Sequence, residues 1–247
     1  RAWIRLYTAR NGQQGGDWLI PLKFGEVVRD TEELDRKDWH TSIMYFAMVD
    51  RFFNGNPGND QPVQDSAVHP RANYQGGDVE GLRQKLADGY FDALHTNTLW
   101  ISPITQNPEN AWGLWNQGGP VSTFSGYHGY WGVDFLNVDP HLGTNADMLE
   151  FSKCAKKLGL KVILDVVTNH TGDVIKYLGN SPYIPAESKK LKNPAWLNDL
   201  NNYHNVGDVS SCWGNGNCTK LGDFYGLDDL ATEKPVVYKG WADVYGK

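Results

Sequence analysis

Strand-length runs of apolar and β-branched residues recur at 42–49, 96–102 and 160–167. The third, Leu-Lys-Val-Ile-Leu-Asp-Val-Val, lacks polar alternation, the pattern of a strand buried on both faces. Between these runs the apolar period lengthens. Val79, Leu82, Leu86, Tyr90 and Leu94 recur at helical spacing behind Asp78, which predicts one helix over 79–93 with Asp78 as its N-cap. Met148, Phe151, Ala155 and Leu158 form a second stripe, predicting a helix over 144–158 that starts from Thr144 and stops at Gly159. Strand and helix therefore alternate from residue 42 onward, which argues for an α/β fold with a parallel sheet.

The flanking regions differ. Residues 1–29 alternate in strand fashion around a Gly-Gln-Gln-Gly-Gly turn at 12–16, as the end of a β-domain would, and 30–41 read as a polar linker. After the third run, about 60 irregular, Asn-rich residues pass before helical character returns near Glu233, and a stretch that long is functional or a small subdomain.

With 29 acidic and 23 basic residues the net charge is -6, which leaves no electrostatic footprint for nucleic acid. No apolar run approaches the roughly 20 residues of a membrane-spanning helix, so a soluble protein is expected. Arg1 begins without an initiator Met or signal-peptide pattern, so the natural start is expected to lie upstream. Ten Trp and 12 Tyr fill cores first, but interleaved with Asn, Asp and Gly in loops they also suit sugar rings. Cys154 falls on the core-facing side of the second helix and reads as a small buried hydrophobe. Cys212 and Cys218 bracket a turn-rich loop short enough to close as a disulfide, with two free thiols the alternative.

The candidate chemistry gathers in loops and at strand ends. Asp165, Asn169 and His170 occupy the carboxyl tip of the third run, where parallel α/β folds place their sites. Gly-Tyr-His-Gly-Tyr-Trp at 126–131 packs aromatic and imidazole groups between glycines. Together with Tyr-Gln-Gly-Gly-Asp at 74–78, Leu-Trp-Ile-Ser-Pro at 99–103, Asp134 and Leu-Asp-Asp-Leu at 227–230, these motifs fall in an order and spacing that resemble the α-amylase family of glycoside hydrolases and glucanotransferases.

The resemblance implies a (β/α)8 barrel of which this chain holds the first three strands: 42–170 the barrel's first part, 171–231 an inserted subdomain, and 232–247 the start of the third barrel helix. A closed barrel takes roughly 250 residues, so completion by a missing segment or a second polypeptide is expected. By the same resemblance, His170 and His128 contact the sugar just before the scissile bond, Tyr130 stacks on it, and Asp165 supports the site through hydrogen bonds. Trp131 and Tyr127 are either further contacts or wall packing. The family's nucleophile and acid/base match no segment here, so the chain alone is expected to be inactive.

One or two calcium ions are implied as well. Asn169 matches one ligand, Asp229 or its neighbour Asp228 a second, and a backbone carbonyl near Lys220 a third. Asn54, Asn56, Asn59 and Asp60 carry four oxygen-bearing side chains in a loop bent by Gly55, Pro57 and Gly58. That loop matches a calcium loop of cyclodextrin glucanotransferases, helped by Gly76 and Asp78; an ordinary turn-rich loop is the other reading. The expected function is a share of α-1,4-glucan hydrolysis, extracellular or periplasmic. A glucanotransferase of the same family, or a carbohydrate- or calcium-binding piece without chemistry, stays open.

Overall fold

The computed structural model describes residues 2–30, 33–34, 38–115, 122–209, 214 and 216–246. β1 (Ala2–Arg10) and β2 (Gln13–Lys23) make an antiparallel hairpin, and β3 (Glu26–Val27) pairs with β2. Asn11 and Gly12 turn the hairpin with φ of 51° and 76°, the left-handed pair that matches strand twist. Most of its side chains are exposed, including Trp18 and Phe24.

The main unit then runs β4 (Met44–Ala47), α1 (Val49–Phe52), α2 (Val79–Ala87), α3 (Tyr90–Ala93) and β5 (Thr98–Ile101). It continues with β6 (Thr105–Gln106), β7 (Trp112–Trp115), β8 (Ser122–Phe124), β9 (Asp134–Val138), α4 (Asn145–Leu158) and β10 (Lys161–Leu164). β4, β5 and β10 form a parallel sheet in the order β10-β5-β4, in register from Met44–Thr98–Lys161 to Ala47–Ile101–Leu164. One face packs on α2 and α4 through Leu82, Leu86, Leu99, Ile101 and Phe151, all buried. On the other, Phe46 and Trp100 meet edge-on at 4.9 Å yet stay 43% and 38% exposed, unusual for a parallel sheet.

Both predicted helices form, with one correction. The stretch 79–93 is two helices, because Gly89 at φ 83° ends the hydrogen-bond ladder and resets its phase. Phe91 consequently takes the buried position, while Tyr90 and Leu94 remain exposed. α4 keeps its expected ends: Thr144 and Asp147 make a reciprocal capping box, and Gly159 closes the helix at φ 69°. Leu158, the last residue of α4, is also exposed.

The segments read as loop hold more order than their composition suggests. β6 pairs with β9 and β7 with β8, both antiparallel. Beyond β10 come the hairpin β11 (Lys176–Leu178) and β12 (Ser181–Tyr183), α5 (Gly216–Leu221) and α6 (Pro235–Tyr245). A second core joins them: Phe135, Ile175, Leu197, Tyr203, Leu230, Val237 and Trp241.

Within this second core lies a fully buried ion pair, Lys192 with Asp228. Asp228 also accepts N–H bonds from Val174 at 3.0 Å and Ile175 at 3.1 Å, and Lys192 reaches the Tyr203 hydroxyl at 3.0 Å. Burial pushes the Asp228 carboxyl up to about 6 and the Lys192 ammonium down, while their mutual attraction works the other way. Cys154 is a free, half-buried thiol packed against the first core. Cys218 is disulfide-bonded, and Cys212 lies outside the described residues.

Candidate functional site

The carboxyl end of β10 and the loop 126–131 come together. Gly129 has φ 84°, and a Cβ there would lie 2.1 Å from the Pro103 carbonyl, so only glycine lets the loop close on the end of β5. Asn107 fastens the loop, its Oδ1 accepting the Trp131 N–H at 2.8 Å. Tyr130 is thereby placed between both elements: its hydroxyl donates to Asp165 Oδ2 at 2.9 Å, and its carbonyl oxygen meets His170 Nε2 at 3.1 Å. Its N–H donates to His128 Nδ1 at 3.0 Å, and the His128 and Tyr130 rings lie 5.7 Å apart at 25°.

Burial sets the charge state of this cluster. It pushes His128 down to about 4, with the nearby Arg51 charge adding to the effect, and lowers His170 too. It raises the Tyr130 phenol to about 12, with Asp165 contributing. At neutral pH the site therefore offers two neutral imidazoles and a neutral phenol, suited to hydroxyl groups rather than to a charged ligand. Asp165 is engaged by the Tyr130 hydroxyl. Trp131 is buried against Phe124 and His128. Tyr127 is half-buried, edge-on to His128 at 5.3 Å, with the Arg51 guanidinium 3.9 Å from its ring centre.

Two features have no counterpart in the sequence reading. Phe224 and Tyr225 form an exposed edge-on ring pair at 4.9 Å just before Asp228 and Asp229, with Tyr225 at φ 52°. The signal was available, since Gly222 and Gly226 flank them as glycines flank the aromatics of 126–131. Arg51 over Tyr127 left no such signal.

The oxygen-rich loop 54–60 folds on itself. Asn54 Nδ2 donates to both Asp60 oxygens, at 2.9 and 2.7 Å, and Gly76 packs so close that a Cβ would lie 2.5 Å from Asp60 Oδ1. Among the described residues the Asn54 and Asn59 Oδ1 atoms are buried without a hydrogen-bond partner. Asn56 Oδ1 instead accepts the Gly58 N–H at 3.1 Å, within the turn. Asp78, fully buried, accepts N–H groups from Gly81, Gly55 and Asn56 at 2.6, 3.1 and 2.8 Å, so it caps α2 and ties the loop down.

At the second candidate centre Asn169 Nδ2 meets Asp229 Oδ1 at 3.3 Å. Since Asp228 is engaged with Lys192, Asp229 is the acid that faces Asn169. Its other oxygen meets His204 Nδ1 at 2.5 Å, and His204 Nε2 lies 3.1 Å from Glu233. Lys220 is in the last turn of α5, shortly before Asp223, whose Oδ1 accepts the Asp229 N–H at 2.9 Å. No group of three or more His, Cys, Asp or Glu placed to hold a metal occurs among the described residues. In the loop 54–60 the oxygen donors are amide oxygens and a single carboxylate, the chemistry of a hard cation. At the second centre, by contrast, Asn169 turns its Nδ2 toward Asp229 and His204 takes the other Asp229 oxygen.

These features define a parallel α/β protein whose polar site lies at the carboxyl ends of its strands. Residues 46–247 match the catalytic domain of alpha amylase, and the chain belongs to that family. It is 37% identical to an alpha-amylase of Streptomyces lividans over 70% of this chain and 22% of that protein. It is 31% identical to the periplasmic alpha-amylase of Escherichia coli, over 85% of this chain and 36% of that one. The solved structure of a cyclomaltodextrin glucanotransferase with a three-domain ABC distribution superposes with a TM-score of 0.63 at 30% identity, covering 83% of this chain and 41% of that chain. The chain thus spans less than half the length of each, and covers part of the (β/α)8-barrel fold of its structural neighbours.

Proposed function

We propose that this chain forms the donor-side sugar wall of an α-amylase-type enzyme that cleaves α-1,4-glucans by double displacement. The observation that carries the reading is the junction at Tyr130, which presents its ring and two neutral imidazoles beside a supporting carboxylate. The three parallel strands are the first of a (β/α)8 barrel. The uncovered Phe46–Trp100 face supports this, because a barrel would bury it under later strands. Retaining cleavage needs two carboxyl groups about 5–5.5 Å apart, and these come from polypeptide beyond this segment. Glucanotransferase activity is the second reading, favoured by the match to a cyclomaltodextrin glucanotransferase.

Calcium is the ion proposed for both centres, with the oxygen-rich loop 54–60 the better supported. Asn54, Asn59, Asp60 and the Gly76 backbone would hold one ion, as the unpartnered Asn54 and Asn59 oxygens support. Asn169 and Asp229, with a carbonyl near Lys220, would hold the other. Such ions supply fixed positive charge that ties loops and the inserted segment to the sheet. An extracellular or periplasmic location goes with the reading, supported by the likeness to a periplasmic relative.

Calorimetric titration of the chain with maltoheptaose tests the proposal. Binding that weakens at least tenfold in both Tyr130→Ala and His170→Ala is expected, with no reducing sugar released from starch. Binding indifferent to both substitutions would overturn the sugar-wall reading, and hydrolysis by this chain at ordinary amylase rates would overturn the placement of the carboxylates elsewhere.

A further inference from the structure

Arg51 is held at three points. Its Nε lies 3.1 Å from Asp50 Oδ2, one guanidinium nitrogen donates to the Asn73 carbonyl at 3.0 Å, and its Cζ sits over the Tyr127 ring, 3.9 Å from the ring centre. Asp50 is itself fixed, fully buried and accepting N–H bonds from Gln75 at 2.9 Å and Gly76 at 3.3 Å. Tyr127 is pinned between this cation and the edge of His128. His128 Nδ1 accepts the Tyr130 N–H, so in the neutral ring the proton resides on Nε2. Among the described residues no hydrogen bond engages that Nε2.

We propose that Arg51 is a positioning residue of the sugar wall, which clamps Tyr127 and thereby holds His128 in the tautomer whose Nε2–H is left for a ligand hydroxyl. The inference rests on the sugar-binding reading of that wall. Three physical effects act together. A guanidinium stacked on a ring restricts its rotation and adds cation–π attraction. The restricted Tyr127 ring blocks the swing that would let His128 release the Tyr130 N–H. The fixed positive charge opposes a second proton on the imidazole. The charged and titratable groups around His128 are Arg51, Tyr127 and Tyr130, with Asp165 beyond the Tyr130 hydroxyl and His170 beyond its carbonyl.

Imidazole 15N spectra of the labelled chain, recorded against pH, together with maltoheptaose titrations, decide the matter. The wild-type His128 ring is expected as the Nε2–H form, titrating near 4. In Arg51→Met, mixed tautomers, a midpoint raised by about one unit and an approximately tenfold weaker Kd are expected, with Arg51→Lys restoring the midpoint but only part of the affinity. An Arg51→Met ring that keeps its tautomer and midpoint would overturn the proposal, even with a lowered melting temperature, because a merely structural arginine would do no more than that. Should Arg51→Met not fold, Tyr127→Leu removes the clamp and keeps the charge; mixed tautomers then support the proposal and an unchanged ring defeats it. If the wild-type chain does not bind maltoheptaose, the sugar-wall reading fails by itself, and the ring spectra still judge Arg51.

Discussion

Asn169 and His170 are adjacent in the chain and serve different neighbours: Asn169 Nδ2 meets Asp229 Oδ1 at 3.3 Å, and His170 Nε2 meets the Tyr130 carbonyl at 3.1 Å. Asn169 lies in a bend beyond β10, and His170 makes an isolated antiparallel bridge with Asp229. On the proposed reading, this one short stretch would serve both the cation centre and the sugar wall. The backbone keeps it in place, since Leu230 donates its N–H to the Asn169 carbonyl at 3.0 Å and Thr171 donates to that of Asp228 at 3.1 Å.

The two centres are separable by mutation. Asp229→Ala is expected to lower the calcium-dependent part of the melting temperature while leaving maltoheptaose affinity within about threefold of wild type; His170→Ala is expected to do the reverse. Thermal melts with and without chelator, paired with calorimetry, check this.

The loop 54–60 gives an independent metal prediction. Asn54→Ala removes one unpartnered amide oxygen and both hydrogen bonds to Asp60. Calcium titration should show one fewer ion bound, and the stabilisation by millimolar calcium should fall by about 1–3 kcal/mol. An unchanged stoichiometry would return the loop to an ordinary turn.

Gly129→Ala places a methyl 2.1 Å from the Pro103 carbonyl at a φ of 84°. Both the clash and the left-handed backbone count against it, and about 2–4 kcal/mol of destabilisation is expected in urea unfolding. Sugar binding should be lost together with loop closure.

The Lys192–Asp228 pair yields a double-mutant cycle. Lys192→Met strands a buried carboxylate and should cost about 3–5 kcal/mol, whereas Lys192→Met with Asp228→Leu should cost less than Lys192→Met alone. Costs that simply add would show that the two groups are energetically independent.

The pH dependence has a definite sign. An unfolded imidazole takes up a proton near 6.5, which folded His128 refuses until about 4, so His128 lowers stability as pH falls through that window. His170 acts in the same direction. Asp50 and Asp228, pushed up to about 6 by burial, act oppositely, because the folded chain takes up their protons first. His128→Gln should therefore gain stability relative to wild type between pH 6.5 and 4, by at most about 3 kcal/mol, as read from urea unfolding across that range.

The sequence by itself determined most of the local elements and marked where polar and aromatic side chains gather. Apolar period marked the three parallel strands and α4, Thr144 and Gly159 marked that helix's ends, and glycine-bracketed aromatics marked the loop at 126–131. These signals are legible because each depends on residues close in the chain. Tertiary structure decided the rest. It broke the helix at Gly89, sent Asp228 to Lys192 and left Asp229 for Asn169, and laid Arg51 over Tyr127. None of these is written in a local period. Which of two neighbouring acids is buried with a lysine, or which ring a guanidinium covers, depends on how distant segments pack, and only the packed arrangement fixes those partners.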